Sequence, residues 1–223
     1  MTDLAIYDLD RTLTRHATYT PFLLHCALRR APWRLLLTPA VLGSMLLYGV
    51  RIIDRRRLKE INHQLLLGRW IHPTDLKPLV ESFADSTVAG NIRPGAHKAI
   101  ARDKSEGRRL VLATASYRLY ADAIAERLGF DDVIGTGSVI GLDDRVRSRI
   151  AGENAYGEAK LRMIADWVEK SGLTGKHGHV RFYSDHASDA PTFEWADEPV
   201  AVNPHARLAR LAIRRGWAIE DWS

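Results

Sequence analysis

Leu4-Ala5-Ile6-Tyr7-Asp8-Leu9-Asp10-Arg11-Thr12 decides how this chain reads. Four apolar residues lead into two carboxylates one residue apart. A strand points alternate side chains to one face, so a strand over residues 3–9 would bring Asp8 and Asp10 out on the same side. Two like charges held that close are unfavourable unless a cation or a shared proton compensates them. The C-terminal end of a strand in an open α/β sheet is also where ligands bind. An Asp-x-Asp alone is common in solvated turns and helix caps, so the rest of the chain has to decide.

Outward from that stretch, apolar runs alternate with helical periodicity. Arg109–Ala113 reads as a strand, Leu119–Leu128 as a helix stopped by Gly129, and Val133–Ile140 and Arg145–Ile150 as short strands. Glu158–Lys170 is amphipathic with a helical period, Val180–Tyr183 a strand, Asp189–Trp195 a helix, Pro199–Val202 a strand and Ala206–Gly216 a closing helix. Such alternation predicts a mainly parallel sheet sandwiched by helices. Residues 14–91 lack strand-like alternation and read as helices broken or opened by prolines at 21, 32, 39, 73 and 78. Ile92-Arg93-Pro94-Gly95 reads as a linker into a helix over Ala96–Ser105. The helical stretch begins just past Asp10, so it is expected above the carboxylates as a cap. The implied division is a core of residues 1–14 and 92–223 with a cap of residues 15–91.

The chain has 223 residues, 46% hydrophobic and 26% charged, enough for one sizeable core and a smaller insertion. Its single cysteine, Cys26, excludes an internal disulfide and fits a reducing compartment. The amino terminus runs directly into strand residues, without the pattern of a signal peptide, and a cytoplasmic location is the expectation. The formal charge of +5 favours anionic partners. No zinc-finger or aromatic RNA-binding pattern is present, so a specific nucleic-acid partner is not expected.

Three later signals fall at strand ends. Thr114-Ala115-Ser116 follows the strand at 109–113, where a hydroxyl and free backbone N–H groups can hold a phosphate oxygen, or simply cap a helix. Lys160 stands near the start of the 158–170 helix, a surface lysine or a phosphate ligand. Asp185-His186-Ala187-Ser188-Asp189 follows Ser184, as a helix cap or as a carboxylate edge suited to Mg²⁺.

The ordered set of Asp8-x-Asp10-x-Thr12, Thr114, Gly157-Glu158-Ala159-Lys160 and Tyr183-Ser184-Asp185 with Asp189 resembles the haloacid dehalogenase superfamily. The likeness is to its phosphoserine-phosphatase-like branch, and Val202-Asn203-Pro204 and Gly216-Trp217 add to it. It implies a Rossmann-like core with an inserted all-helical cap and a Mg²⁺-dependent phosphatase. Asp8 would be the nucleophile that becomes an aspartyl-phosphate, and Asp10 the general acid and base. Thr114, Ala115 and Lys160 would hold the phosphoryl oxygens. Asp8, Asp185 and the Asp10 carbonyl would bind Mg²⁺, supported by Thr12, Ser116 and Asp189. Phosphoryl transfer needs in-line positioning and neutralisation of charge, which this residue set supplies.

Two departures bear on substrate. Arg11 follows Asp10, where the resemblance implies glycine. Arg15-His16-Ala17-Thr18-Tyr19-Thr20 lacks the glutamate that phosphoserine phosphatases use for the substrate ammonium, which argues against phosphoserine. Residues 11–53 contain no Asp or Glu, and the apolar run Leu35–Val50 lies between Arg34 and Arg51, with Arg55-Arg56-Arg57 beyond. As one helix that run would reach about 24 Å at ~1.5 Å per residue, short of a ~30 Å hydrocarbon core. It is therefore either buried in a cap bundle or an apolar, arginine-flanked surface for an anionic membrane. The second reading would bring a lipid headgroup phosphate to Asp8 at the inner membrane face. Phosphatidylglycerophosphate phosphatases of this branch have a similar cap. The alternatives are a soluble small-metabolite phosphatase, on an amino-acid or sugar phosphate, and a phosphotransferase.

Overall fold

A computed structural model describes residues 2–173 and 177–223. Strand β1 (Thr2–Tyr7) lies inside the sheet, flanked in parallel by β3 (Arg109–Tyr117) and β6 (His177–Ser184). Leu4, Ala5, Ile6 and Tyr7 are fully buried because helices cover both faces of the sheet. β4 (Asp132–Ile140) pairs in parallel with β3, and β7 (Glu198–Val202) and β8 (Ala218–Glu220) continue in parallel beyond β6. Helices α5 (Pro94–Ser105), α6 (Arg118–Leu128), α7 (Glu158–Lys170), α8 (Ala190–Trp195) and α9 (Ala206–Arg215) complete the layers. This is the α/β, Rossmann-like arrangement that the alternation predicts.

The sheet order is β2-β5-β4-β3-β1-β6-β7-β8, and one edge is not parallel. β5 (Val146–Ala151) returns antiparallel against β4, and the two-residue β2 (Trp70–Ile71) pairs antiparallel with β5. The stretch expected to be all-helical thus contributes a strand, too short to show alternation in the sequence. It otherwise forms α1 (Tyr19–Arg30), α2 (Thr38–Gly49), α3 (Arg55–Leu66) and α4 (Pro73–Gly90), with a 3₁₀ turn over Pro32–Leu37. The expected linker is partly helix, because Pro94 opens α5 at a position whose N–H needs no partner. Thr14 and Ile92 form an antiparallel bridge where the chain leaves the sheet and returns.

α2 buries only Val41 and Ser44. Leu36, Leu42 and Leu46 are 81%, 61% and 68% exposed, and Leu28, Trp33, Val50 and Ile52 are exposed beside them. The alternative of a run buried within the cap is therefore corrected: Val41 reaches the core and Leu35 and Met45 pack partly against it, while most of the other large side chains of the run stay exposed. No helix among the described residues is long and apolar enough to cross a membrane.

Candidate active site

β1 stops at Tyr7, two residues earlier than the alternation suggests. Asp8 is still extended (φ −77°, ψ 156°), and its N–H donates to the Tyr183 carbonyl, 2.9 Å. Leu9–Leu13 then form an irregular helical turn in which Arg11 takes φ 66°. That turn, not continued strand geometry, brings Asp10 back to the cavity that Asp8 faces. β1, β3 and β6 are neighbours, so their carboxyl ends carry Asp8, Thr114-Ala115-Ser116 and Asp185 to one place. Lys160 arrives on the first turn of α7, which follows Gly157 at φ 61°. A side chain at Gly157 would be strained by that backbone alone.

Asp8, Asp10, Ala115, Ser116, Lys160, Asp185 and Asp189 all line one cavity of about 400 Å³. Lys160 Nζ donates to Asp8 Oδ1 at 2.9 Å and to Asp189 Oδ2 at 2.6 Å. Ser184 Oγ also donates to Asp189 Oδ2, 2.8 Å. Burial opposes the charge on Lys160, but Asp189 and Asp8 outweigh it and hold its pKa above the usual range. Burial pushes Asp8 up to about 7, with Lys160 lowering it and Asp189 and Asp185 raising it. Burial likewise raises Asp185 to about 6, against the pull of Lys160.

Thr12 and Thr114 stand behind the cavity wall. Thr12 Oγ1 lies 3.2 Å from Asp8 Oδ2 and 3.4 Å from Asp185 Oδ1, and accepts the Asp185 N–H at 3.0 Å. Thr114 Oγ1 accepts the Ser116 N–H at 3.0 Å. Asp10 is fixed by three donors: the Thr18 N–H (2.6 Å), Thr18 Oγ1 (2.7 Å) and Ser116 Oγ (2.7 Å). Tyr120 OH donates to Ser116 Oγ, 2.8 Å, so the Ser116 hydroxyl serves Asp10. Asp189 ends a 3₁₀ turn over Ala187–Asp189, and α8 starts one residue after it rather than at it.

The donor set suits a hard divalent cation. Asp8 and Asp185 are buried and crowd one hydroxyl, with Lys160 as the nearby cation. No group of three or more His, Cys, Asp or Glu side chains with metal-binding geometry occurs among the described residues. Mg²⁺ asks for less, since it takes one or two carboxylates and keeps several waters.

Other lining residues escaped the sequence reading. Tyr19, Arg55, Leu58 and Lys59 come from the helical insertion, as does the exposed Tyr48. Tyr156, His186 and His205 also line the cavity, as does Arg11, with His205 Nε2 3.4 Å from Asp185 Oδ2 and 3.3 Å from the Arg11 guanidinium. Lys59 lay in the run Arg55-Arg56-Arg57-Leu58-Lys59-Glu60, which looks like a solvated helix face. Only its place four residues after Arg55, on the same helix face, hinted otherwise.

The model of the haloacid dehalogenase-like hydrolases matches residues 5–194. The chain belongs to that family. A phosphoserine phosphatase, SerB1, of Mycobacterium tuberculosis is 32% identical over 148 residues, 66% of this chain and 47% of that protein. A histidinol-phosphatase of Neisseria meningitidis is 25% identical over 65% of this chain and 66% of its own length. The chain thus spans about half of the mycobacterial relative. A solved structure of a Bordetella pertussis protein of unknown function matches all of both chains, with 26% identity and a TM-score of 0.90. That likeness extends over the helical stretch as well as the sheet.

Proposed function

We propose that this chain is a Mg²⁺-dependent phosphomonoester hydrolase that works through an aspartyl-phosphate on Asp8. The observation that carries the reading is the Asp8 carboxylate at the cavity wall, fixed by Lys160 at 2.9 Å, with Asp10 lining the same cavity. The phosphatase names of two relatives support it. A carboxylate oxygen of Asp8 attacks phosphorus as the ester P–O bond breaks, and Asp10 gives a proton to the departing alkoxide. Asp10 then takes a proton from the water that attacks the phosphoryl group, the bond to Asp8 breaks, and inorganic phosphate leaves. Lys160 and the Thr114-Ala115 stretch of β3 steady the phosphoryl oxygens. Mg²⁺ held by Asp8, Asp185 and the Asp10 carbonyl would offset the repulsion between carboxylate and ester. Residues 15–91 act as the cap over the core of residues 1–14 and 92–223.

Mg²⁺-dependent release of p-nitrophenol from p-nitrophenyl phosphate tests the chemistry. Asp8→Asn should lower kcat by at least about 10³-fold, and acid quenching should trap phosphoprotein only when Asp8 is intact. Full activity in Asp8→Asn would sink the reading. Adding acceptor alcohols and assaying phosphorylated alcohol separates a hydrolase from a phosphotransferase.

A second, narrower reading concerns the substrate's setting. The exposed apolar residues of α2 and its flanks, in a stretch with arginines and no acid, favour a lipid headgroup phosphate met at the anionic inner membrane face. A soluble amino-acid or sugar phosphate is the competing substrate class. The protein should cosediment with phosphatidylglycerol vesicles at low salt and not with phosphatidylcholine vesicles. Leu42→Glu with Leu46→Glu should abolish that binding, and indifference of the unaltered protein to both vesicles would remove the lipid reading.

A further inference from the structure

Lys59 is a buried cation without an anion. It is 5% exposed, it lines the cavity, and among the described residues no carboxylate lies within ion-pair distance of it. Its neighbours on α3 behave differently, for Arg56 and Arg57 pair with Glu60. Lys59 Nζ instead donates to two neutral oxygens, the Ala115 carbonyl and Asn154 Oδ1, the latter at 2.6 Å. An ammonium has three N–H donors, and the third has no hydrogen-bond acceptor among the described residues, only the Tyr19 and Tyr117 rings with centroids 5.7 and 5.8 Å from Nζ. Burial and the nearby Arg55 push its pKa down to about 7, and Asp10 pulls the other way. A chain does not usually keep such a group unless a ligand or partner compensates it.

Arg55 repeats the pattern one helical turn earlier. Its guanidinium lies over the Tyr156 ring, 4.1 Å from the centroid, at the half-buried cavity wall. It too lacks a carboxylate within ion-pair distance among the described residues. The phosphoryl group has its own cation in Lys160, across the cavity at Asp8 and Asp189. Lys59 feels the field of Asp10, the group assigned to the leaving alcohol. Both cap cations line the cavity from α3 of the insertion, whereas Lys160 is tied to Asp8 and Asp189 from the core.

We propose that Lys59 and Arg55 form an anion subsite for the leaving group, so that the preferred substrates are phosphomonoesters whose alcohol carries a second negative charge. The charge is a carboxylate, a second phosphate or a phosphodiester. The proposal rests on the phosphomonoesterase reading and names the substrate class for the same cavity.

The test is a matched pair of equal length, phosphoglycolate against ethyl phosphate, which differ in one carboxylate. The unaltered protein should favour phosphoglycolate by about tenfold or more in kcat/KM, a preference of about 1.4 kcal/mol. Lys59→Met should erase most of that preference, mainly through KM. Lys59→Arg should retain it. Arg55→Gln, at a partly exposed side chain with no buried partner to strand, should reduce it about threefold or more, and it serves if Lys59→Met does not fold. Phosphatidylglycerophosphate in mixed micelles is the lipid arm. A preference there but not for phosphoglycolate assigns the subsite to a phosphodiester, and the reverse assigns it to a soluble acid.

Equal rates on all members by the unaltered protein, or a preference that survives in both Lys59→Met and Arg55→Gln, overturns the subsite. If nothing is hydrolysed, the catalytic reading fails separately. Calorimetric titration of the Asp8→Asn protein with the same two ligands then still reads the affinity ratio.

Discussion

Arg11 stands where the backbone asks for glycine. Its φ of 66° lies in the left-handed region, which costs a non-glycine residue roughly 1–2 kcal/mol. Glycine gives back about 0.5–1 kcal/mol of that through the unfolded chain. Arg11→Gly should therefore raise stability by about 0.5–1 kcal/mol in urea titrations, and Arg11→Val should lower it. The carboxylates make a second residue-level prediction. Burial raises Asp8 to about 7 and Asp185 to about 6, so between pH 4 and 7 the native state binds protons that the unfolded state has released. Stability contributed by these groups then falls as pH rises through that window. Mg²⁺ should compensate the charged forms, raising Tm by several degrees at pH 8 and by about none at pH 5, read by differential scanning fluorimetry. An equal shift at both values would argue against these carboxylates as the binding groups.

At this scale the sequence showed the residues whose spacing encodes their meeting. Asp8 and Asp10 follow a buried strand, and Lys160 and Asp185 stand at the edges of periodic segments. It misplaced the end of β1, because a turn that folds back through Arg11 has no local apolar signature. It hid Lys59, because burial of a lysine within a charged run depends on what packs over it.

Among the elements, α3 carries the most tension. His63 is fully buried, with neither ring nitrogen hydrogen-bonded among the described residues, and packs edge-on to Tyr117 at 5.6 Å between centroids. Burial pushes its pKa down to about 4. The unfolded chain takes up this proton near pH 6.5, so stability is lost as pH falls from 6.5 towards 4, at up to about 1.4 kcal/mol per pH unit. His63→Phe keeps the aromatic volume and should flatten that slope in denaturant titrations at pH 7 and pH 5. A slope unchanged by the substitution would move the effect to other groups. Helices with a clear period, such as α7, were legible to the residue. β2 and β8 were not, since two or three residues cannot display alternation and their pairing is decided by strands distant in sequence.

Across the whole molecule, the parallel order around β1 follows from alternating strands and helices, whereas the antiparallel β4–β5 edge had to be seen. The burial of the run at 35–50 also had to be seen. Its composition permits a core or a surface, and only the packing of α2 on α3 and its neighbours shows how much of it stays uncovered. Charge distribution was readable throughout, because a stretch without acids keeps its sign in any fold.

Tyr48 belongs both to that uncovered face and to the cavity wall. Whatever settles on the outside of α2 therefore presses on the doorway of the reaction chamber. Turnover measured in free solution and turnover measured with α2 covered need not agree, and a detergent or a crowding agent could act as an effector without ever entering the pocket.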